Sequence, residues 1–200
     1  MIATLTTPTA APGIVPPMRW TVKEFHKLLE QNYFQGRRAI LLHGVILEQG
    51  PMNSPHAKGL ERLIKALKRF PLDNYRERSQ SPLVLGRDSD PSPDYAIVEE
   101  STPESADGHP TTAVIVFEIS DTSLNTDLTE KAELYATAGI LDYWVIDVTK
   151  RQLHVLRDPA PLPAGLGATA YRNHKTYGPE ESVAPLAFPG HAIRVGELIP

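Results

Sequence analysis

The feature that most constrains this chain is residues 113–119, which read AVIVFEI. A run this short and this apolar reads as a strand covered on both faces, the pattern of a central strand in a sheet. A helical segment follows at 127–138, closed by Gly139, and then a second apolar run at 142–148. Strand, helix and strand in that order form a crossover unit, so the two runs are predicted to be parallel neighbours. The chain is therefore placed in the α/β (α+β) class, with a mixed β-sheet flanked by helices.

The remaining elements fit around that unit. Thr21 and Glu24 have capping-box spacing, with Trp20 and Phe25 placed as the hydrophobic staple of a first helix. Its apolar stripe is Val22, Phe25, Leu28 and Leu29. A hairpin follows, with strands at 39–42 and 45–47 joined by His43-Gly44. Ser54 is read as the N-cap of a second helix and Pro55 as its first-turn proline, with Leu60, Leu63, Ile64 and Leu67 as its buried face. Further strands are expected at 75–79, 83–85 and 94–98. A hairpin return is expected at 151–156 and an edge strand at 170–177. The 19 prolines, nearly twice the usual ~5%, concentrate at 1–17, 81–93, 158–167 and 183–190. Residues 1–17 read as a disordered tail, 158–167 as an exposed loop, 183–190 as irregular, and 18–200 as a single domain.

Composition excludes several functions. Hydrophobic residues make up 41% and charged residues 22% of the 200, an ordinary globular balance. The net charge of −4 argues against a general polyanion binder while leaving room for a local basic cleft. There is no cysteine, which removes disulfides, thiol nucleophiles and thiolate metal sites. No apolar run approaches a membrane span and no signal peptide is recognisable, so a cytoplasmic, non-membrane protein is expected. G-x-S-x-G, Walker and G-x-G-x-x-G motifs are missing, and no two histidines pair at helical zinc spacing. Tyr143 and Trp144 alternate across a buried strand, which favours core packing over a base-stacking platform.

Three residues stand out chemically. Glu118 lies inside the most apolar strand, on the face of Val114 and Val116, where a carboxylate is costly unless paired or metal-bound. The bland alternative is a strand-end Glu that reaches solvent or a structural arginine. Lys131 falls within the apolar arc of its helix, with Leu128, Leu134 and Tyr135, and needs an anionic partner unless it snorkels from the rim. Asp94 opens a strand directly after Pro93; alone it is a strand-end Asp. Together, two carboxylates on neighbouring strands can hold one hard divalent cation. A nearby lysine can orient a water or neutralise a phosphate.

At these residues the sequence resembles the Uma2 family (DUF820). The resemblance lies in PDYAIV at 93–98, VFEIS at 116–120, the stretch from Asp121 to Lys131, and YATAGILDYWVID at 135–147. The Ser54-Pro55-His56 helix start and the His43-Gly44 hairpin occupy corresponding places. The resemblance runs from about Trp20 to the C-terminus. It implies membership of the PD-(D/E)xK superfamily, a restriction-endonuclease-like core and Mg²⁺- or Mn²⁺-dependent cleavage of DNA. It further implies Asp94 and Glu118 as metal ligands and Lys131 as the catalytic lysine, moved from strand to helix. The superfamily's usual lysine position is Ser120 here. His56 matches a family histidine and is carried as a candidate that could meet a phosphate at the helix start; a simple first-turn polar residue is the alternative. The family hairpin reads close to ELIDGE. Here Ile40, His43 and Val45 stand in that segment, and Glu48 lies too far along to substitute obviously. Asp127 is read first as a helix-start acid favoured by the dipole, and second as a partner of Lys131.

The expectation is a metal-dependent endodeoxyribonuclease. The alternatives are a catalytically lapsed nuclease fold that binds nucleic acid or a protein partner and, more weakly, a dimerisation module. A homodimer is expected by analogy with other nuclease folds.

Overall fold

The structure, a computed structural model, describes residues 17–161 and 169–200. All of the predicted tail except Pro17, and the second half of the segment at 158–167, lie outside the described residues.

Helix α1 (Val22–Glu30) carries the full capping box: Glu24 N–H donates to Thr21 Oγ1 at 3.3 Å, and Thr21 N–H to the Glu24 carboxylate at 2.9 Å. Only Val22 and Phe25 of its expected stripe are buried; Leu29 faces solvent. Strands β1 (Ala39–Leu42) and β2 (Val45–Glu48) form the expected hairpin. His43 and Gly44 both have positive φ, 49° and 74°, as a twist-matched two-residue turn requires. A Cβ on Gly44 would meet Arg19 Cβ at 2.7 Å, so glycine is required there twice over. Helix α2 (Ser54–Leu67) is capped by Asn53 rather than Ser54; its side-chain oxygen accepts the His56 N–H at 3.1 Å.

The main sheet takes β3 (Tyr75–Ser79), β4 (Tyr95–Glu99), β5 (Ile115–Ser120), β6 (Asp142–Asp147), β7 (Gln152–Pro161) and β8 (Thr169–Tyr177), paired in that order. β5 and β6 are central and parallel, as the two apolar runs require; every other pair is antiparallel. Residues 83–85 are buried but form no strand. Their N–H groups go to carbonyls of Pro91, Pro110 and Ser89, because a segment punctuated by prolines cannot sustain a ladder. The segment at 158–167 is not all loop: β7 continues to Pro161 against β8. β6 begins at Asp142 opposite Arg157, so beyond Arg157 β7 has a single neighbour, where prolines are tolerated.

One face of the sheet packs on α2 through Leu63, Leu67, Phe117 and Trp144. Gly59 lets α2 come so close that a Cβ there would lie 2.7 Å from Ile119 Cγ2. The short strands β9 (Ser182–Val183) and β10 (Ile193–Arg194) bring Phe188, Ile193 and Leu198 into the same layer; residues 184–190 are irregular, as expected, although Phe188 among them is core. Val114, expected on the face of Glu118, instead packs into this layer, because the strand begins one residue after it.

The other face is covered by the segment expected as one helix at 127–138. It is two: α3 (Leu124–Leu128) and α4 (Glu130–Thr137), broken at Thr129 with φ −118° and ψ −87°. Tyr135, Tyr143, Val116 and Ile40 meet there. Trp144 lies in the opposite layer, as expected for core packing. Among the described residues no helix is long and apolar enough to cross a membrane.

Candidate active site

Four chain segments supply the site. Pro93 delivers Asp94 to the start of β4, where its Oδ2 accepts the N–H of Ile119 on β5 at 2.7 Å. Its Oδ1 lies 2.9 Å from His56 Nε2 on α2. Burial works against the Asp94 charge, but His56, the Ile119 N–H and Lys131 outweigh it and hold the carboxyl below its usual range. His56 therefore braces Asp94, and its backbone N–H is already taken by Asn53, which leaves it differently placed from a phosphate ligand at a free helix start.

Glu118 is 2% exposed. Its Oε2 is 2.9 Å from Lys131 Nζ, and its Oε1 accepts the Tyr135 hydroxyl at 2.9 Å. Burial pushes its carboxyl up to about 8, the nearby Asp94 and Asp127 add to the rise, and Lys131 opposes it. Lys131 is itself buried, which disfavours its charge. Its Nζ nevertheless sits between Glu118 and Asp127 Oδ1 (2.8 Å), and these carboxylates hold it firmly protonated. Lys131 therefore keeps its charge between two carboxyl groups, while burial makes Glu118 hold its proton more tightly than an ordinary carboxyl.

Asp127 stands in the first turn of α3 and meets the second of its two readings, a partner of Lys131. It is 1% exposed, pairs with Lys131, and accepts the Ser123 hydroxyl at 2.6 Å. Its carbonyl accepts the Tyr143 hydroxyl at 2.8 Å. The pair spans the break at Thr129 yet keeps the i, i+4 relation of neighbours on one helical face. Tyr135, which the sequence offers as part of an apolar arc or, with Tyr143 and Trp144, as a stacking platform, is buried and donates its hydroxyl to Glu118. Both were findable, because Asp127, Lys131 and Tyr135 recur at i, i+4 and i+8 on one helical face.

Asp94, Glu118, Lys131 and His56 line one cleft of about 370 Å³. The hairpin lines it with Ile40, Leu42 and Leu47, Arg38 stands just before that hairpin, and Thr122, Ser123 and Thr126 line it as well. Glu48 also lines the cleft, so it lies closer to the site than its sequence position suggested; it pairs with Arg37 at 3.3 Å.

The donor set suits a hard divalent cation. Three carboxyl groups, Asp94, Glu118 and Asp127, lie near a single lysine, and burial, with the charges of Asp94 and Asp127 adding to it, is what raises Glu118. Among the described residues no three His, Asp or Glu side chains are grouped as a ready cage. A Mg²⁺-like ion does not need one, since it is commonly held by one or two carboxylates with waters and substrate phosphate completing the shell.

Comparison with known proteins agrees with this architecture. The family model Uma2, described as "Putative restriction endonuclease", matches residues 22–196. A crystal structure of "a putative nuclease belonging to DUF820" from Anabaena variabilis ATCC 29413 superposes with a TM-score of 0.67 at 16% identity, covering 91% of this chain and 97% of that one. A partial likeness to the type IIG restriction endonuclease BpuSI has a TM-score of 0.35 at 18% identity, over 52% of this chain and 11% of that one. No curated protein matches the chain in sequence. With a family match across most of its length, and a nuclease-like fold shared with the Anabaena protein, the chain belongs to the Uma2 family of the restriction-endonuclease-like fold.

Proposed function

We propose that residues 18–200 act as one metal-dependent endonuclease domain that hydrolyses phosphodiester bonds in DNA. The observation that carries this reading is the meeting of Asp94, immediately before β4, Glu118 on β5 and Lys131 on α4 in one cleft. Asp94 and Glu118 would hold a divalent cation, Mg²⁺ or Mn²⁺, which when bound supplies Lewis-acid stabilisation of charge on the scissile phosphate. His56 and the Ile119 N–H fix the Asp94 carboxylate from two sides, so that it is oriented before substrate arrives. Tyr135 does the same for Glu118. Lys131, protonated and without freedom to leave, presents its ammonium to the phosphate or to the attacking water. The raised Glu118 carboxyl must give up its proton to serve as a ligand, so activity should rise towards alkaline pH.

The second reading is a lapsed nuclease fold. It is favoured by the engagement of both Glu118 oxygens by Lys131 and Tyr135, and by the apolar hairpin wall. An assay on plasmid and single-stranded DNA with Mg²⁺, Mn²⁺ or EDTA separates the two. Cleavage that needs the metal and disappears in Glu118→Gln is expected. Intact DNA under every condition, with no divalent-ion binding, would leave only the lapsed reading.

A further inference from the structure

The cleft holds too little positive charge to bind a polyanion by itself. Its lining includes Glu48, Asp94, Glu118 and Asp121 against Arg38 and Lys131, and Lys131 is already held by Glu118 and Asp127. Most of a protein's affinity for nucleic acid comes from Lys and Arg on phosphates. A phosphodiesterase built on this cleft therefore needs cations outside it.

Helix α2 supplies them. Its start lines the cleft through Asn53 and His56, and His56 reaches inwards to Asp94. Lys58, Arg62 and Lys65 follow at i, i+4 and i+7, which sets them on one side of the helix, opposite the buried Leu63 and Leu67, and all three are exposed. Exposed Lys68 stands beside this row at the C-cap. These four side chains form no ion pair among the described residues, whereas Arg69, one residue further, is held by Glu197 at 2.6 Å. Glu61 is the one acid of the helix. The other helices are balanced or acidic: α1 sets Lys23 and Lys27 against Glu24 and Glu30, and α4 sets Lys131 against Glu130 and Glu133. In a chain of net charge −4, α2 is thus a one-signed ridge that begins at the cleft. It is about 15 Å long from Lys58 to Lys68 at 1.5 Å per residue. A helix is about 10–12 Å across, so the ridge lies about three or four nucleotides from the cleft at ~3.4 Å per nucleotide.

The ridge also selects among anionic partners. The apolar side of α2 is buried, and no large apolar side chain between residues 54 and 70 is exposed, so nothing is available to insert into a lipid surface. Lysine without exposed aromatic residues is the reverse of a protein-binding patch, where aromatics are enriched and lysine depleted. We propose that the outer face of α2 is a docking ridge for the DNA backbone flanking the scissile phosphate. The proposal rests on the phosphodiester reading of the cleft and adds where the substrate is held.

Binding and kinetics together test it. Anisotropy of a labelled duplex of about 20 base pairs would be read with the whole chain in Ca²⁺, between about 50 and 200 mM salt. Arg62→Gln with Lys65→Gln should flatten the slope of log K against log salt by about 1.8, at about 0.9 per phosphate contact. Over the range from about 1 M down to about 50 mM salt, that slope amounts to about tenfold per cation, so the pair should lose about a hundredfold in affinity at the lower salt. Gln is as good a helix former as Lys or Arg, so the melting temperature should not move. Arg62→Lys with Lys65→Arg keeps the charge and should bind as the wild type does. So should Lys23→Gln with Lys27→Gln, which removes the same charge from α1. In Mg²⁺ the α2 pair of Gln variants should raise KM for the duplex with kcat unchanged. It should leave hydrolysis of bis(p-nitrophenyl) phosphate, too small to touch the ridge, as it was. Normal duplex binding by the α2 pair, an equal loss in the α1 pair, or polyglutamate that competes as well as DNA at equal charge would overturn the inference and leave the nuclease reading intact; the last result would mark a surface for an acidic protein. Binding lost in the α2 pair, with no cleavage by the wild type in any metal, would keep the ridge and overturn the nuclease reading. A wild type that hydrolyses the small diester but binds no DNA would overturn the ridge alone.

Discussion

Replacing Glu118 with Gln tests the charge arrangement at the centre of the site. The carboxyl gives up its proton near 4.5 in the unfolded chain but near about 8 when folded. A raised folded value stabilises the protein fully below the lower figure, and that contribution is lost as pH climbs towards the higher one. The loss is about 1.4 kcal/mol per pH unit across the interval, and so about 3 kcal/mol by pH 7. Gln has nothing to ionise and keeps the shape, and its amide can still meet Lys131 and Tyr135. Urea unfolding in EDTA at pH 5, 6 and 7 should therefore show the wild type losing roughly 2–3 kcal/mol relative to Glu118→Gln between the ends of that range. Added Mg²⁺ should stabilise the wild type, by about 2.7 kcal/mol at a hundred times its Kd, and leave the variant unmoved. The reasoning is refuted if Glu118→Gln is less stable by ~3–5 kcal/mol at pH 7, the cost of breaking a buried ion pair. Glu118 would then be an ionised structural partner of Lys131, and the site would lose its metal ligand.

Lys131→Met should do more than remove a catalytic group. It strands Asp127 at 1% exposure without a cation, so chemical denaturation should register a loss of ~3–5 kcal/mol, most of it restored by adding Asp127→Asn. His26, which lies 2.7 Å from Asp90 and 2.9 Å from Asp107, has burial against its charge, but the two carboxylates win and raise its pKa. Burial also raises Asp90 despite His26, so the exposed Asp107 contributes materially to holding the imidazolium. A raised histidine stabilises below 6.5 and loses that contribution as pH rises through its folded value, so His26→Gln should lower the melting temperature more at pH 6 than at pH 9. Gly59→Ala gains about 0.5–1 kcal/mol of helix preference but forces a methyl against Ile119. Overpacking of that kind costs about 1–3 kcal/mol, so a net loss by thermal melting is expected, with reduced activity because the Ile119 N–H holds Asp94.

Much of the fold was legible because its strongest signals are local. The AVIVFEI run, the crossover to the run at 142–148, the capping box at Thr21 and the His43-Gly44 turn each depend on neighbouring residues, and each formed where expected. Failures came where a distant partner decides. Leu83–Leu85 has strand composition, but its N–H groups are claimed by three separate loop carbonyls. Pro159 reads as loop until β8 lies alongside, at a level that β6 does not reach. The C-terminal stretch is short on periodicity, and only contact with α2 makes Phe188, Ile193 and Leu198 core.

The candidate site divides along the same line. Sequence alone was enough to mark Glu118 and Lys131, because an ionisable side chain in an apolar strand or on an apolar helix face is costly to leave unpaired, and that cost is visible without coordinates. It also marked Asp94 and His56, by position rather than by partner. Tertiary structure decided how these charges are shared. Asp127 takes half of Lys131, Tyr135 reaches across to Glu118, and His56 meets Asp94. It also decided that the hairpin, remote in sequence, walls the cleft with leucine and methionine. Burial cost belongs to a residue and its immediate neighbours, so sequence carries it. The identity of the group that offsets that cost depends on which segments the fold brings within 3 Å: helical spacing points to Asp127 and Tyr135 beside Lys131, but no spacing along the chain encodes the pairing of His56 with Asp94.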